Sequence, residues 1–179
     1  MKKKGILITS AIFILVIALV IVYLKSCAYL PIKGTVIDAE SGQPIEGAVI
    51  LAEWTVKSWF PDGPTKTIKA VETFTDKNGR FKLNVYILRP VSNSYLTIYK
   101  AGYVCWNNKY IFPDNARRYD FEWESNREYA LERFKKEYTY SDHVSFIRTC
   151  IPSLSASDPF SKAYRWEELM EYKELRGNK

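Results

Sequence analysis

The sequence predicts a mainly β protein: a small sandwich with an apolar helix at its N-terminus and an α-helical extension at its C-terminus. Three observations carry that expectation. An uncharged run follows a lysine cluster at the very start of the chain. Short apolar stretches, separated by turn signals, fill residues 33–113, and after Pro113 the apolar spacing changes to that of helices.

Lys2, Lys3 and Lys4 precede a run from Gly5 to Leu24 in which Thr9 and Ser10 are the clearly polar side chains. As a helix this run is about 30 Å long, the thickness of a bilayer's hydrocarbon core. The lysines on its N-terminal side keep residues 1–4 in the cytoplasm as a basic tail and send the rest across. Residues 5–24 thus read as a transmembrane signal-anchor, and their length and the following Lys25 favour an uncleaved helix. The alternative is a lipoprotein signal, because Leu24-Lys25-Ser26-Cys27 resembles a bacterial lipobox. Leu24, Ser26 and Cys27 fit that pattern, with Cys27 as the lipidation site, whereas Lys25 does not. Both readings leave the C-terminal domain extracytoplasmic, on the periplasmic or cell-surface side, and tied to the membrane.

Residues 25–32 read as a linker, and strands follow. Ile32 to Asp38 is a first strand, closed by the turn Ala39 to Pro44. Ala48 to Trp54 is a nearly continuous apolar run, suited to a strand buried on both faces. Thr67 to Thr75 is a third strand, and Asp76-Lys77-Asn78-Gly79 a hairpin turn. Phe81, Leu83 and Val85 alternate with polar residues. Tyr95 to Lys100 is a fifth strand, with Leu96 and Ile98 on one face. Ala101-Gly102 breaks it, and Tyr103 to Phe112 supplies a further strand or two. Beyond Pro113, Ser125 and Glu128 form a capping box that predicts a helix through about Lys136. Asp142 to Cys150 is a second helix, and Asp158-Pro159 opens a third to about Arg176. Ala130, Leu131 and Phe134, then Tyr164, Trp166, Leu169, Met170 and Tyr172, mark faces expected to cover the sandwich, so residues 114–179 read as a helical extension packed on it.

The stretches KGTVIDAESGQPIEGAVILA, TDKNGRFKL and LTIYKAGYV resemble the carboxypeptidase regulatory-like domain family. The resemblance rests on Gly34, Val36, Pro44, Gly47, Ala48, Thr75, Asp76, Gly79, Phe81, Gly102 and Tyr103, in order and spacing over about seventy residues. It implies a seven-strand-like Greek-key β-sandwich, transthyretin-like (prealbumin-like), over residues 33–113. It also implies an accessory module of envelope or secreted proteins with no shared ligand.

Charge argues against a nucleic-acid partner. Residues 1–30 hold four lysines and no acid, residues 31–113 ten basic and seven acidic side chains, and residues 114–179 twelve and thirteen. Most of the net +6 therefore lies at the N-terminus, and the rest has no basic stripe. His143 is the one histidine, too few for a hydrolytic zinc site, and it reads as a helix-start residue against the sandwich. No catalytic residue, metal ligand or cofactor is expected. Asp76 to Gly79 lacks the carboxylates of a calcium loop. Cys105 and Cys150 are either a disulfide, worth roughly 4 kcal/mol in the chain-entropy model, or two buried thiols. The loop from Thr55 to Lys66 carries Trp59 and Phe60, either a contact site or a lid. The function expected is a non-catalytic binding or scaffolding module of the cell envelope, with an envelope protein or a carbohydrate as ligand. The alternatives are an accessory subunit of an envelope enzyme or receptor, and a hydrolase using His143.

Overall fold

The computed structural model describes residues 12–22, 27–29, 31–57, 63, 65–84, 86–124, 126–151 and 158–177. The first element, α1 (12–22), is part of the apolar run. Its 11 residues span about 16 Å. Among the described residues no helix is long and apolar enough to cross a membrane. The expected span over 5–24 is thus described over 12–22, and residues 1–11 and 23–26 lie outside the described residues. Side chains from Ile12 to Val22 are open all round α1, with the large apolar ones 43% to 66% exposed.

Among the described residues eleven strands follow. β1 (Cys27–Tyr29) pairs antiparallel with β6 (Tyr86–Pro90), so the expected linker contains a strand. β2 (Ile32–Asp38), β5 (Arg80–Leu83) and β11 (Arg127–Leu131) form a three-stranded sheet in the order β11-β2-β5. β3 (Val49–Val56), β4 (Lys66–Phe74), β7 (Asn93–Tyr99) and β8 (Trp106–Asn107) form a second sheet in the order β4-β3-β7-β8. A hairpin of β9 (Tyr110–Ile111) and β10 (Ala116–Arg117) stands beyond it.

The two larger sheets face each other over one core. Ile32 and Val36 of β2, Phe81 and Leu83 of β5, and Tyr129 and Leu131 of β11 meet Ile50, Ala52 and Trp54 of β3 and Leu96 and Ile98 of β7. Period-two alternation produces this: in β2 and β5 every second residue is buried. β3 is buried along nearly its whole length because both of its faces are covered. Val49 and Leu51 point away from the shared core, toward a helical layer.

That layer is α2 (Tyr140–Cys150) and α3 (Asp158–Gly177). α2 starts two residues before the expected Asp142, and Thr139 caps it: its hydroxyl accepts from the Asp142 amide at 3.1 Å. Val144, Phe146, Ile147 and Cys150 of α2, with Phe160 and Tyr164 of α3, bury themselves against Val49, Leu51 and Tyr99. Each large apolar side chain so buried contributes about 1.5–3 kcal/mol. Leu169 and Tyr172, expected on the packed face, are instead exposed, as is Leu175. The buried stripe of α3 is Phe160, Tyr164 and Glu167, at helical spacing.

The helix expected from Ser125 to Lys136 is not formed. Residues 127–131 are β11, parallel to β2, with Arg127 opposite Gly34 and Leu131 opposite Asp38. In a helix Tyr129 and Leu131 would point to nearly opposite sides; in a strand they share a face and enter the core together. Gly34 makes the room. A Cβ there would lie 2.6 Å from Tyr129 Cε2 and 2.8 Å from the Arg127 carbonyl oxygen.

Candidate functional site: a cleft of tyrosines and cations

Of the residues singled out in the sequence, Trp59 and Phe60 lie outside the described residues. Cys27 falls in β1, its Cα opposite Pro90. Cys105 and Cys150 meet where the end of α2 packs on the sheet, and of the two alternatives, a disulfide or two buried thiols, the structure has the thiols. They behave there as small apolar side chains. Burial first, and the neighbouring Cys150 thiol next, push the Cys105 pKa well above the ordinary thiol value.

His143 is fully buried on α2, ringed by Phe112 and Phe134. Its Nε2 accepts from the Cys105 amide at 2.9 Å, so that nitrogen carries no proton and Nδ1 holds the ring's proton. Nδ1 sits 3.2 Å from Glu167 Oε2, short of good hydrogen-bond geometry, while Glu167 Oε1 accepts from the Tyr99 hydroxyl at 3.0 Å. Burial, then the Glu167 charge, raise the Tyr99 pKa, so its hydroxyl stays a donor. This cluster ties α2 and α3 to the sheet. With its accepting nitrogen occupied and no exposed surface, His143 is not placed to take a proton from a substrate.

A different set of residues opens to solvent. Asn93 and Tyr95 of β7, Lys109 and Tyr110 at β9, Arg117 of β10, and the following Arg118 and Tyr119 line a cleft of about 300 Å³. Its position follows from two asparagines. Asn107 Oδ1 accepts from the amides of Lys109 at 2.7 Å and Tyr110 at 3.2 Å, turning the chain from β8 into β9. The Asn107 side-chain amide donates to Thr97 Oγ1 at 3.0 Å and to the Cys150 carbonyl at 3.3 Å. Asn108 accepts from the Leu96 amide and donates to the Ser94 carbonyl. The turn that presents Lys109 and Tyr110 is therefore bolted to β7 and to the end of α2.

Register then brings the second wall across, since Arg117 pairs with Tyr110. Arg118 is held on three sides. Its Nε donates to the Asn107 carbonyl at 2.9 Å, its guanidinium lies 4.9 Å from the Trp106 ring centroid, and Asp120 is 3.6 Å away. Burial lowers the Arg118 pKa and Asp120 opposes that, yet an arginine stays charged. Burial raises the Tyr95 pKa first, with Tyr110 adding to it, so Tyr95 remains a protonated phenol at neutral pH. Tyr119 stands out at 86% exposed. A smaller recess of about 120 Å³, lined by Val104, Trp106, Phe112 and Glu132 among others, adjoins the cleft and shares Tyr110 and Arg118 with it.

Among the described residues no group of three or more histidine, cysteine or carboxylate side chains is arranged to hold a metal ion. The cleft offers flat aromatic faces, phenol hydroxyls and fixed positive charge. That is equipment for binding, with no nucleophile and base side by side. Sequence reasoning missed it because Tyr95, Tyr110 and Tyr119 are far apart in the chain. The run Arg117-Arg118-Tyr119 was the available signal.

No protein-family model matches the chain, and no curated protein matches it. Among solved structures, a 3-chlorocatechol 1,2-dioxygenase from Rhodococcus opacus 1CP matches at 16% identity and a TM-score of 0.38, over 58% of this chain and 59% of that one. The C-terminal domain of the shaft pilin SpaA from Lactobacillus rhamnosus GG matches at 14% identity and a TM-score of 0.31, over 60% of this chain and 99% of that one. The chain thus spans less than two thirds of the dioxygenase. Likenesses at these scores carry no argument about activity.

Proposed function

We propose that this chain is a membrane-tethered, extracytoplasmic, non-catalytic binding module of the cell envelope, built as a transthyretin-like Greek-key sandwich of the carboxypeptidase regulatory-like kind. The observation that carries the binding reading is the cleft of Tyr95, Tyr110, Tyr119, Lys109, Arg117 and Arg118. It is preformed, since hydrogen bonds from Asn107 and Asn108 fix its walls, and a preformed site spends little on ordering when a ligand arrives. The tether is supported by Lys2 to Lys4 ahead of residues 5–24, and by the all-round apolar, exposed surface of α1. Such a surface is suited to lipid.

The test is topological. A reporter enzyme that is active only outside the cytoplasm, fused after Lys179, is expected to be active, with the protein in the membrane fraction. An inactive fusion, with the C-terminus protected inside spheroplasts, refutes the reading. Mass spectrometry of the N-terminus then separates an uncleaved anchor from a lipidated Cys27.

One observation favours the accessory-subunit reading as a second. Leu169, Tyr172 and Leu175 form an exposed apolar stripe along α3, a face a partner protein would cover. The hydrolase reading finds His143 enclosed, with Nε2 already engaged.

A further inference from the structure

We infer that the ligand of the cleft is a carboxylated saccharide chain, a polymer of uronate type; this rests on the binding-module reading. The argument begins with charge. The lining holds three cations, Lys109, Arg117 and Arg118, and no carboxylate. Asp120, outside the lining, contacts Arg118 at 3.6 Å with its own side chain 70% exposed, so it offsets only part of that charge. An anion is the complementary partner. Arginine presents a planar fork, which matches the planar carboxylate with two parallel hydrogen bonds.

Charge alone does not explain the tyrosines. Three phenol rings line a cleft of about 300 Å³, at the low end of small-molecule sites. Tyr119 leaves most of its ring in water, where an apolar face gains most from being covered. A pyranose ring has an apolar C–H face and a rim of hydroxyls. The first stacks on a phenol ring; the second pairs with the hydroxyls of Tyr95 and Tyr110, the amide of Asn93 and the ammonium of Lys109. A polypeptide of acidic residues supplies the charge without the ring, and a neutral glycan the ring without the charge.

The two-compartment shape selects a chain over a single sugar. Tyr110 and Arg118 line both the main cleft and the recess beside it. A sugar seated in the main cleft leaves its neighbour over the Tyr110–Arg118 ridge, with Trp106 and the recess beyond. The one carboxylate lining that recess, Glu132, is already paired with Lys135 and accepts from the Tyr138 hydroxyl.

Full-length protein in detergent micelles, titrated with alginate oligosaccharides by calorimetry, tests this. Polyglutamate, dextran oligomers and phosphatidylglycerol vesicles are the comparison ligands. Alginate oligomers are expected to bind at least about tenfold more tightly than any of the three. Arg117→Ala and Tyr119→Ala, both at exposed positions, are each expected to weaken alginate binding about tenfold with unchanged melting temperature. Equal binding of polyglutamate makes the site a charge trap, preference for the vesicles makes it a lipid-headgroup site, and failure to bind alginate removes the uronate; each overturns the inference. The reporter fusion reads location independently, so an exported protein that ignores alginate loses the ligand class but not the module.

Discussion

Arg133 Nε donates to Asp38 Oδ2 at 2.7 Å across 95 residues of sequence. Asp38 ends β2 and is 2% exposed. It also accepts from the Glu40 and Ser41 amides at 2.9 Å each, and from the Tyr103 hydroxyl at 2.9 Å. One carboxylate therefore joins the first turn, the β7–β8 connection and the segment after β11. The Ser41 amide most of all, then Arg133 and Tyr103, outweigh burial and hold its pKa far below the ordinary 3.8. A depressed carboxylate pKa stabilises the fold above the unfolded-state value, and that contribution drains away as pH falls through the folded-state value. Thermal unfolding from pH 7 down to pH 2 is expected to show this loss, beginning below about pH 4. Asp38→Asn is expected to melt lower at pH 7 and to show a flatter acid limb; equal acid limbs would remove the role given to Asp38.

Among the described glycines, Gly79 is where an added Cβ would come nearest to another atom. Its φ is +69°, and an added Cβ would lie 2.4 Å from the Val36 carbonyl oxygen, which is backbone and cannot step aside. Gly79→Ala is expected to cost more than about 2 kcal/mol in urea unfolding, combining backbone strain with a displaced β2–β5 pairing.

His143→Ala tests the buried cluster. It leaves the Cys105 amide without its acceptor and opens a hole among Phe112, Phe134 and Phe146. A loss of about 3 kcal/mol is expected by chemical denaturation. Binding at the cleft should persist below the transition. A variant as stable as the parent that lost an activity would reinstate the hydrolase reading.

The thiols of Cys105 and Cys150 are expected to resist iodoacetamide at pH 8 in the native protein and to react fully in denaturant, as mass spectrometry would read. Burial shields both sulfurs from the reagent, and the raised Cys105 pKa keeps the Cys105 thiolate scarce.

Much of this fold is written locally. β2 matches the first strand expected over Ile32 to Asp38, and β3 has the two covered faces that its continuous apolar run implied. The turn at Asp76 to Gly79 and the break at Gly102 fall where the turn chemistry put them: Asp76 accepts from the Asn78 and Arg80 amides, and Gly79 and Gly102 have positive φ. What the sequence hid was long-range. Ser125 and Glu128 satisfy a capping box, but burial of Tyr129 and Leu131 beside Gly34 outweighs a local preference worth about 1 kcal/mol. β1 and β6 owe their existence to each other. The cleft was illegible for a related reason: its tyrosines and cations converge through strand register and two asparagine clasps, which no short motif encodes.

The parallel seating of β11 on β2 makes completion of that sheet wait on residues 127–131. A chain emerging from the ribosome or across a membrane displays β2 long before residues 127–131 exist, and parallel pairing cannot be supplied by a neighbouring hairpin. Until then β2 offers an unpaired edge and the core lacks Tyr129 and Leu131. Any product stopped short of residue 131 keeps that edge, a feature that proteases and holding chaperones recognise and that recruits other strands. A shortened product ending at Pro113 should therefore aggregate or be degraded, visible as loss of the monomer peak in size-exclusion chromatography. β11, the last strand among the described residues, is what closes the exposed edge of β2.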